Sequence, residues 1–301
     1  MDGVTFEFAA PENYNLAGTL WLAGMGSRDP CIDLREGLLS YQTPDGAVTI
    51  LVVAESDALS VTCFGDGIDW IESRLPSLLG LMDRPDGFKP QGKLADLARK
   101  MPGLRLPILP VVFPRLVQII LQQLISWSDA LAGWRQLVRR YGTEAPGPSP
   151  LRLAPTPRAI RELGYYDIVD CGVLPKQARI ILKVARDATS IERLSATPEE
   201  LSNYLLRIPG IGEWTVQHLS GTSCGVADAL MPDDYGLPHT VAWFLLGKER
   251  SDDAEMFELL ETYRGHRFRV INLLWQSGIE APRRGPKMRS NRWRFAKRSS
   301  G

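Results

Sequence analysis

Residues 205–235, LLRIPGIGEWTVQHLSGTSCGVADALMPDDY, decide the reading of this chain. A Pro-Gly-Ile-Gly turn, residues 209–212, separates two helical patterns. Upstream, Thr197-Pro-Glu-Glu200 has the form of a helix start: a Thr cap, Pro at the first helical position and Glu three residues after the cap. Leu201, Tyr204, Leu205 and Ile208 then recur at helical spacing. Pro209 cannot continue that helix and Gly210 accepts positive φ. After Gly212 the segment 213–219 reads as a second helix, whose first turn presents unpaired N–H groups and a positive dipole end. With no side chain on Gly210 or Gly212, a phosphate can approach that backbone closely. An ordinary tight turn between packed helices is the plain alternative. About twenty residues further on stand Asp233 and Asp234, where a carboxylate can act on a nucleotide held by the turn or cap the helix that follows.

The full pattern is more specific than a bare Gly-x-Gly, and other blocks accompany it in order. They are MPGLRLP at 101–107, ILQQLIS at 120–126, IPGIGEWT at 208–215, MPDDY at 231–235 and YRGHRFR at 263–269 with Trp275 beyond. Together they resemble the helix-hairpin-helix (HhH-GPD) DNA glycosylase superfamily over roughly residues 10–280. Within it they are most similar to the AlkA-type bacterial 3-methyladenine (alkyladenine) DNA glycosylases.

The resemblance implies an α+β fold: a small N-terminal α/β domain with an antiparallel sheet plus helices at 1–90, then a mostly α-helical glycosylase core at 91–281, with its hairpin at 197–219 and the active site between helical subdomains. It implies a monofunctional enzyme of base excision repair. Such an enzyme flips an alkylated purine out of double-stranded DNA, hydrolyses its N-glycosidic bond and leaves an abasic site. Asp234 aligns with the catalytic carboxylate, where it would stabilise the positive charge that develops on the sugar. Bifunctional relatives carry a nucleophilic Lys where this chain has Trp214, so water is the expected nucleophile. Leu124 aligns with the wedge that fills the vacated stack; its plain reading is a core leucine. Gln123, Gly210, Gly212 and Thr215 join Leu124 as expected DNA-binding residues. Trp214 and Trp275 align with an aromatic base pocket suited to a cationic purine, or are core aromatics. His218 and Gln276 stand where the AlkA type has Tyr, which makes the expected pocket more polar and opens the alternative of a different damaged base. The carbonyls of Leu206, Ile208 and Ile211 align with a monovalent cation site for Na⁺ or K⁺; no other cofactor is expected. Arg267 and Arg269 are read as phosphate contacts or ion pairs, with a solvated face the plainer reading for Arg269.

Composition bounds the remaining classes. The chain has 301 residues, long enough for two or three subdomains. Its four cysteines are scattered and form no Cys-x-x-Cys pair, so neither zinc, an iron–sulfur cluster nor a disulfide framework is expected. The N-terminus lacks a signal-peptide pattern, and the apolar stretch 106–125 is broken by prolines and polar residues. A cytoplasmic, nucleoid-associated monomer is expected. The formal net charge is zero, yet residues 282–301 hold eight Lys/Arg and no acid, leaving 27 basic against 35 acidic residues elsewhere. That tail can add salt-sensitive phosphate affinity, or merely solubility. Strand patterns fall at 4–8, 47–53 and 59–64, with a turn at Asp45-Gly46, and helix patterns at 69–82 and 93–100. Two other classes are open. One is a non-catalytic hairpin module that binds DNA. The other is a transcription factor or alkylation-response fusion, for which the chain shows no methyl-acceptor Pro-Cys-His-Arg segment.

Overall fold

The structure is a computed structural model and describes residues 3–282. The basic tail, from residue 283 onward, lies outside the described residues. The N-terminal region builds a five-stranded antiparallel sheet of order β1-β5-β4-β3-β2. Its strands are β1 (Val4–Ala9), β2 (Ile32–Asp33), β3 (Leu38–Thr43), β4 (Gly46–Ala54) and β5 (Ala58–Phe64). The period-2 alternation of β5 turns Leu59, Val61 and Cys63 inward. The Asp45-Gly46 turn joins β3 to β4, with Thr43 opposite Gly46 and the Thr43 hydroxyl donating to the Gly46 carbonyl at 2.7 Å.

The expected helix at 69–82 is instead two short ones, Ile68–Glu72 and Leu75–Leu78. Pro76 has no N–H to extend the first helix, and it sits at the start of the second, where none is needed. From residue 92 onward the described chain is helical, apart from connecting loops and isolated bridges.

Two hydrophobic cores form. The first packs the inner sheet face (Val48, Ile50, Leu59, Val61) against Phe113, Leu116, Ile120 and Trp134, and runs on to Leu205 and Val216. The second gathers Leu22, Leu94 and Leu106 with Met231, Val241, Leu260, Phe268, Ile271 and Leu274. Each fully buried side chain of this kind is worth about 1.5–3 kcal/mol of transfer free energy. The sheet shares its core with the helices of 113–223, while helix Gly92–Lys100 belongs with the C-terminal helices. Trp214 packs against both cores, so it marks their seam.

Helix Phe113–Gln122 is central to the first core and is fixed at both ends. At its N-terminus Glu192 accepts the Val112 and Phe113 amides at 3.0 and 2.8 Å, in the manner of a cap supplied from elsewhere in the chain. Burial pushes the Glu192 carboxyl up to about 7. Further along, buried Gln118 donates to Asp29, itself buried and bonded to Trp134, Met25 and Cys31. These bonds tie the helix to the N-terminal region and set where its C-terminal end emerges.

Candidate active site

The hairpin consists of helices Pro198–Leu205 and Glu213–Ser223. Thr197 is not the side-chain cap expected of it; its hydroxyl engages the Leu194 carbonyl (3.3 Å) and the Glu200 carboxylate (3.2 Å) instead. The two glycines of the turn serve different ends. Gly210 has φ +95°, and a Cβ there would lie 2.5 Å from Ile180 Cδ1, so the fold itself demands glycine. Gly212 is extended (φ −117°, ψ −179°), and a Cβ there would meet nothing within 4 Å. Its surroundings are open, and the helix that starts beyond it has no side-chain cap.

The loop after Phe113–Gln122 leans on this hairpin. Gln123 Nε2 donates to the Gly210 carbonyl (3.1 Å) and to Thr215 Oγ1 (2.9 Å). Gln177 Nε2 in turn donates to the carbonyls of Leu121 (3.1 Å) and Gln123 (2.7 Å). Between these anchors Leu124 takes φ +61° and is 79% exposed. A leucine in the left-handed region costs about 1–2 kcal/mol, and an exposed one gains no burial in return. The core reading of Leu124 is thereby excluded. Gln123 is turned onto the hairpin, and Thr215 is buried beneath it as the acceptor.

Asp234 sits between two duties. Its Oδ1 accepts the amides of Gly236 (2.9 Å) and Leu237 (2.8 Å), capping helix Leu237–Leu246. Its Oδ2 accepts Trp214 Nε1–H at 2.7 Å. The carboxylate is thus orientated from both sides at the seam between the cores. Asp233 is not the cap: it is exposed, in the left-handed region (φ +59°), and its amide donates to Asp253. Tyr235, next along, is 85% exposed.

Four rings gather beside that carboxylate. His218 lies edge-on to Trp214 at 5.0 Å and tilted to Trp275 at 5.4 Å. Trp275 is also tilted to Trp21 at 6.5 Å. All three tryptophans are only partly buried, whereas His218 is 6% exposed and its Nδ1 has no hydrogen-bond partner among the described residues. Sequence reasoning missed Trp21, which comes from the short turn Trp21–Ala23 and carries no motif. Gln276 does not join the group as expected. Its amide nitrogen donates to the Gly18 carbonyl (3.0 Å) and Asn272 Oδ1 (2.9 Å), tying the closing helix Arg267–Ser277 to the helix Leu16–Leu20.

Burial, reinforced by the nearby Arg115 guanidinium, holds His218 well below the usual histidine range, so the ring is neutral. The unfolded chain takes up a proton near pH 6.5 that the folded ring refuses. Its effect on stability is therefore absent above pH 6.5 and increasingly unfavourable below it. His218→Phe is expected to lose less stability than the parent between pH 7.5 and pH 5 in urea unfolding. Parallel losses in the two proteins would show a ring that protonates freely in the folded state.

Arg267 and Arg269 both form ion pairs. Arg267 pairs with Asp228 at 2.6 and 2.8 Å, holding that carboxyl below the usual range despite partial burial. Arg269 is neither a phosphate contact nor a solvated charge: it is 6% exposed and forms two bonds to Asp83. At the expected cation site, the Ile208 carbonyl accepts the Ile211 amide at 3.0 Å, while among the described residues no loop or cap amide donates to the carbonyls of Leu206 or Ile211.

The fold is one shared with solved DNA glycosylases. A 3-methyladenine DNA glycosylase from Archaeoglobus fulgidus superposes with a TM-score of 0.75 at 21% identity, over 91% of this chain and 98% of that one. An 8-oxoguanine glycosylase/lyase from Clostridium acetobutylicum, solved with DNA containing cytosine opposite 8-oxoG, superposes with a TM-score of 0.65 at 11% identity, over 92% and 98%. The Schizosaccharomyces pombe 3-methyladenine DNA glycosylase bound to abasic DNA gives 0.54 at 18%, over 66% and 96%. At these identities the likeness is one of fold. No protein-family model matches the chain, and no curated protein sequence does.

Proposed function

We propose that the protein is a monofunctional DNA glycosylase that hydrolyses the N-glycosidic bond of alkylated purines, of the 3-methyladenine and 7-methylguanine class, in duplex DNA. The observation that carries this reading is the Asp234 carboxylate, orientated by Trp214 Nε1–H and by the cap amides beside a group of partly exposed tryptophans. The hairpin amides around Gly212 hold a backbone phosphate. Leu124 enters the stack where the lesion nucleotide leaves it, its left-handed backbone having been set before DNA arrives. Pre-set geometry of this kind avoids an ordering penalty at the moment of binding.

The extruded base lies among Trp214, Trp275 and Trp21. Their ring faces attract a cationic alkylated purine more than a neutral one, and neutral His218 adds no opposing charge. As the bond from C1′ to the base nitrogen breaks, its electron pair leaves with the base, which for a cationic purine departs neutral. Positive charge grows on the sugar, and the Asp234 carboxylate stabilises it. Water then adds at C1′ and gives up a proton, leaving an abasic site. Trp214 offers no amine, so no Schiff base forms at this position. A monovalent cation fits the hairpin carbonyls of Leu206, Ile208 and Ile211. They are neutral oxygen donors, and among the described residues no loop or cap amide donates to two of them. Bound there, the ion would rigidify the phosphate-holding turn.

A panel of lesion duplexes and methylated DNA tests the reading. Release of 3-methyladenine or 7-methylguanine is expected, with no borohydride-trapped adduct. Tight binding to an abasic duplex without release of any base in the panel would favour the non-catalytic module. Release of a different lesion alone would reassign the substrate.

A further inference from the structure

The helix Pro175–Arg186 carries Lys176, Arg179, Lys183 and Arg186, all exposed, and no acid within its bounds. At 100° per residue these four fall within about 80° of one another, forming a single stripe. The opposite face (Gln177, Ala178, Ile181, Val184, Ala185) is buried in the first core. The stripe stands out because the chain outside its C-terminal tail has more acidic than basic residues.

The helix is anchored to the hairpin and to the Leu124 loop at defined points. Ile180 Cδ1 lies where a Cβ on Gly210 would be, directly beneath the turn. Lys176 and Lys183 stand one turn to either side of Ile180, within about 60° of it around the helix axis. They flank the hairpin turn along the helix. At the N-terminal end, Gln177 holds the carbonyl that precedes Leu124. Arg179 rests over Tyr165 at 5.2 Å, and Lys183 is 3.3 Å from Asp187. An exposed pair of this kind contributes about 0–1 kcal/mol and exchanges readily for another anion.

We infer that this stripe is a phosphate track, with Lys176 and Lys183 binding backbone phosphates on either side of the one held at the hairpin. Arg179 and Arg186 extend the track along the same strand. The inference rests on the reading of the protein as a duplex-DNA binder, and it concerns the backbone rather than the damaged base. Interactions of this kind fix register without reading sequence. They give affinity through released counterions, so they appear in the salt dependence of binding.

The test is fluorescence anisotropy on the full chain, with a short duplex carrying a tetrahydrofuran abasic analogue, titrated over a series of KCl concentrations. For the Lys176→Gln/Lys183→Gln double variant, the slope of log K against log[KCl] is expected to become shallower by about 2, at roughly 0.9 for each phosphate that is no longer neutralised. Adding Arg179→Gln and Arg186→Gln should flatten it further. All of these side chains are exposed, so the melting temperature should hold. Lys100→Gln, on a helix packed against the closing helix instead, should leave the slope unchanged. A parental slope in the double variant, with parental affinity, overturns the track while leaving DNA binding intact. Failure of the parent to bind the duplex overturns both readings. A flattened slope in a protein that releases no base supports the track and removes only the enzymatic reading.

Discussion

Asp234→Asn is expected to abolish base release, lowering kcat by at least about 10²–10³-fold, while the affinity for an abasic-analogue duplex stays within a few-fold of the parent. Asn is the informative change because the carboxylate has two halves. Its Oδ1 caps helix Leu237–Leu246 through the Gly236 and Leu237 amides, and the Asn carbonyl can keep both bonds. The other half accepts Trp214 Nε1–H, and an amide NH₂ placed there sets donor against donor. The variant therefore loses the charge and the indole bond but keeps the cap. Asp234→Ala would also forfeit the cap, about 1 kcal/mol, and mix a stability effect into the kinetics. Trp214→Phe separates the remaining contribution. It keeps an aromatic ring against His218 but removes the N–H together with part of the stacking surface, so kcat should still fall by less than in Asp234→Asn, with the cap undisturbed. Parental kcat in Asp234→Asn would remove Asp234 from the chemistry and leave it a helix cap.

What the chain disclosed of this site followed from how local each feature is. The hairpin was legible because Pro209 and Gly210 act on their own backbone, and the structure gives Gly210 the positive φ that only glycine adopts easily. The Asp45-Gly46 turn was equally local, yet its partner strand β3 went unread although a two-residue turn implies strands on both sides. Side-chain destinations were harder. Nothing in a helical pattern says that Gln276 will reach the Gly18 carbonyl, or that Trp21 will meet Trp275, since both interactions join segments about 250 residues apart. Leu124 is instructive in the other direction. Periodicity would place it in the core, whereas its exposure follows from hydrogen bonds made by Gln123 and Gln177 to distant backbone. The sequence motif carried that information; the physical pattern did not.

The same distance from sequence marks the second large effect. Asp83→Ala is expected to destabilise the fold by about 3–5 kcal/mol, a large share of the roughly 5–15 kcal/mol that holds a native domain together. Asp83 accepts Arg269 Nη2 at 2.5 Å and Nη1 at 2.6 Å, and both side chains are less than a tenth exposed. It also accepts the Leu106 and Arg84 amides, so it joins the backbone at these two positions to the closing helix that carries Trp275. Removing the carboxylate leaves a buried guanidinium whose other partners, His266 Nδ1 and the Arg84 carbonyl, bring no negative charge. The penalty thus belongs to the stranded cation more than to the missing attraction, and this is testable. Arg269→Met in the Asp83→Ala background replaces the cation with an apolar chain of similar length. The double variant should regain much of the lost stability in urea unfolding, although it makes fewer polar interactions than either single variant. A double variant no more stable than Asp83→Ala would place the loss in the backbone amides that Asp83 holds, and not in a buried, unpaired charge.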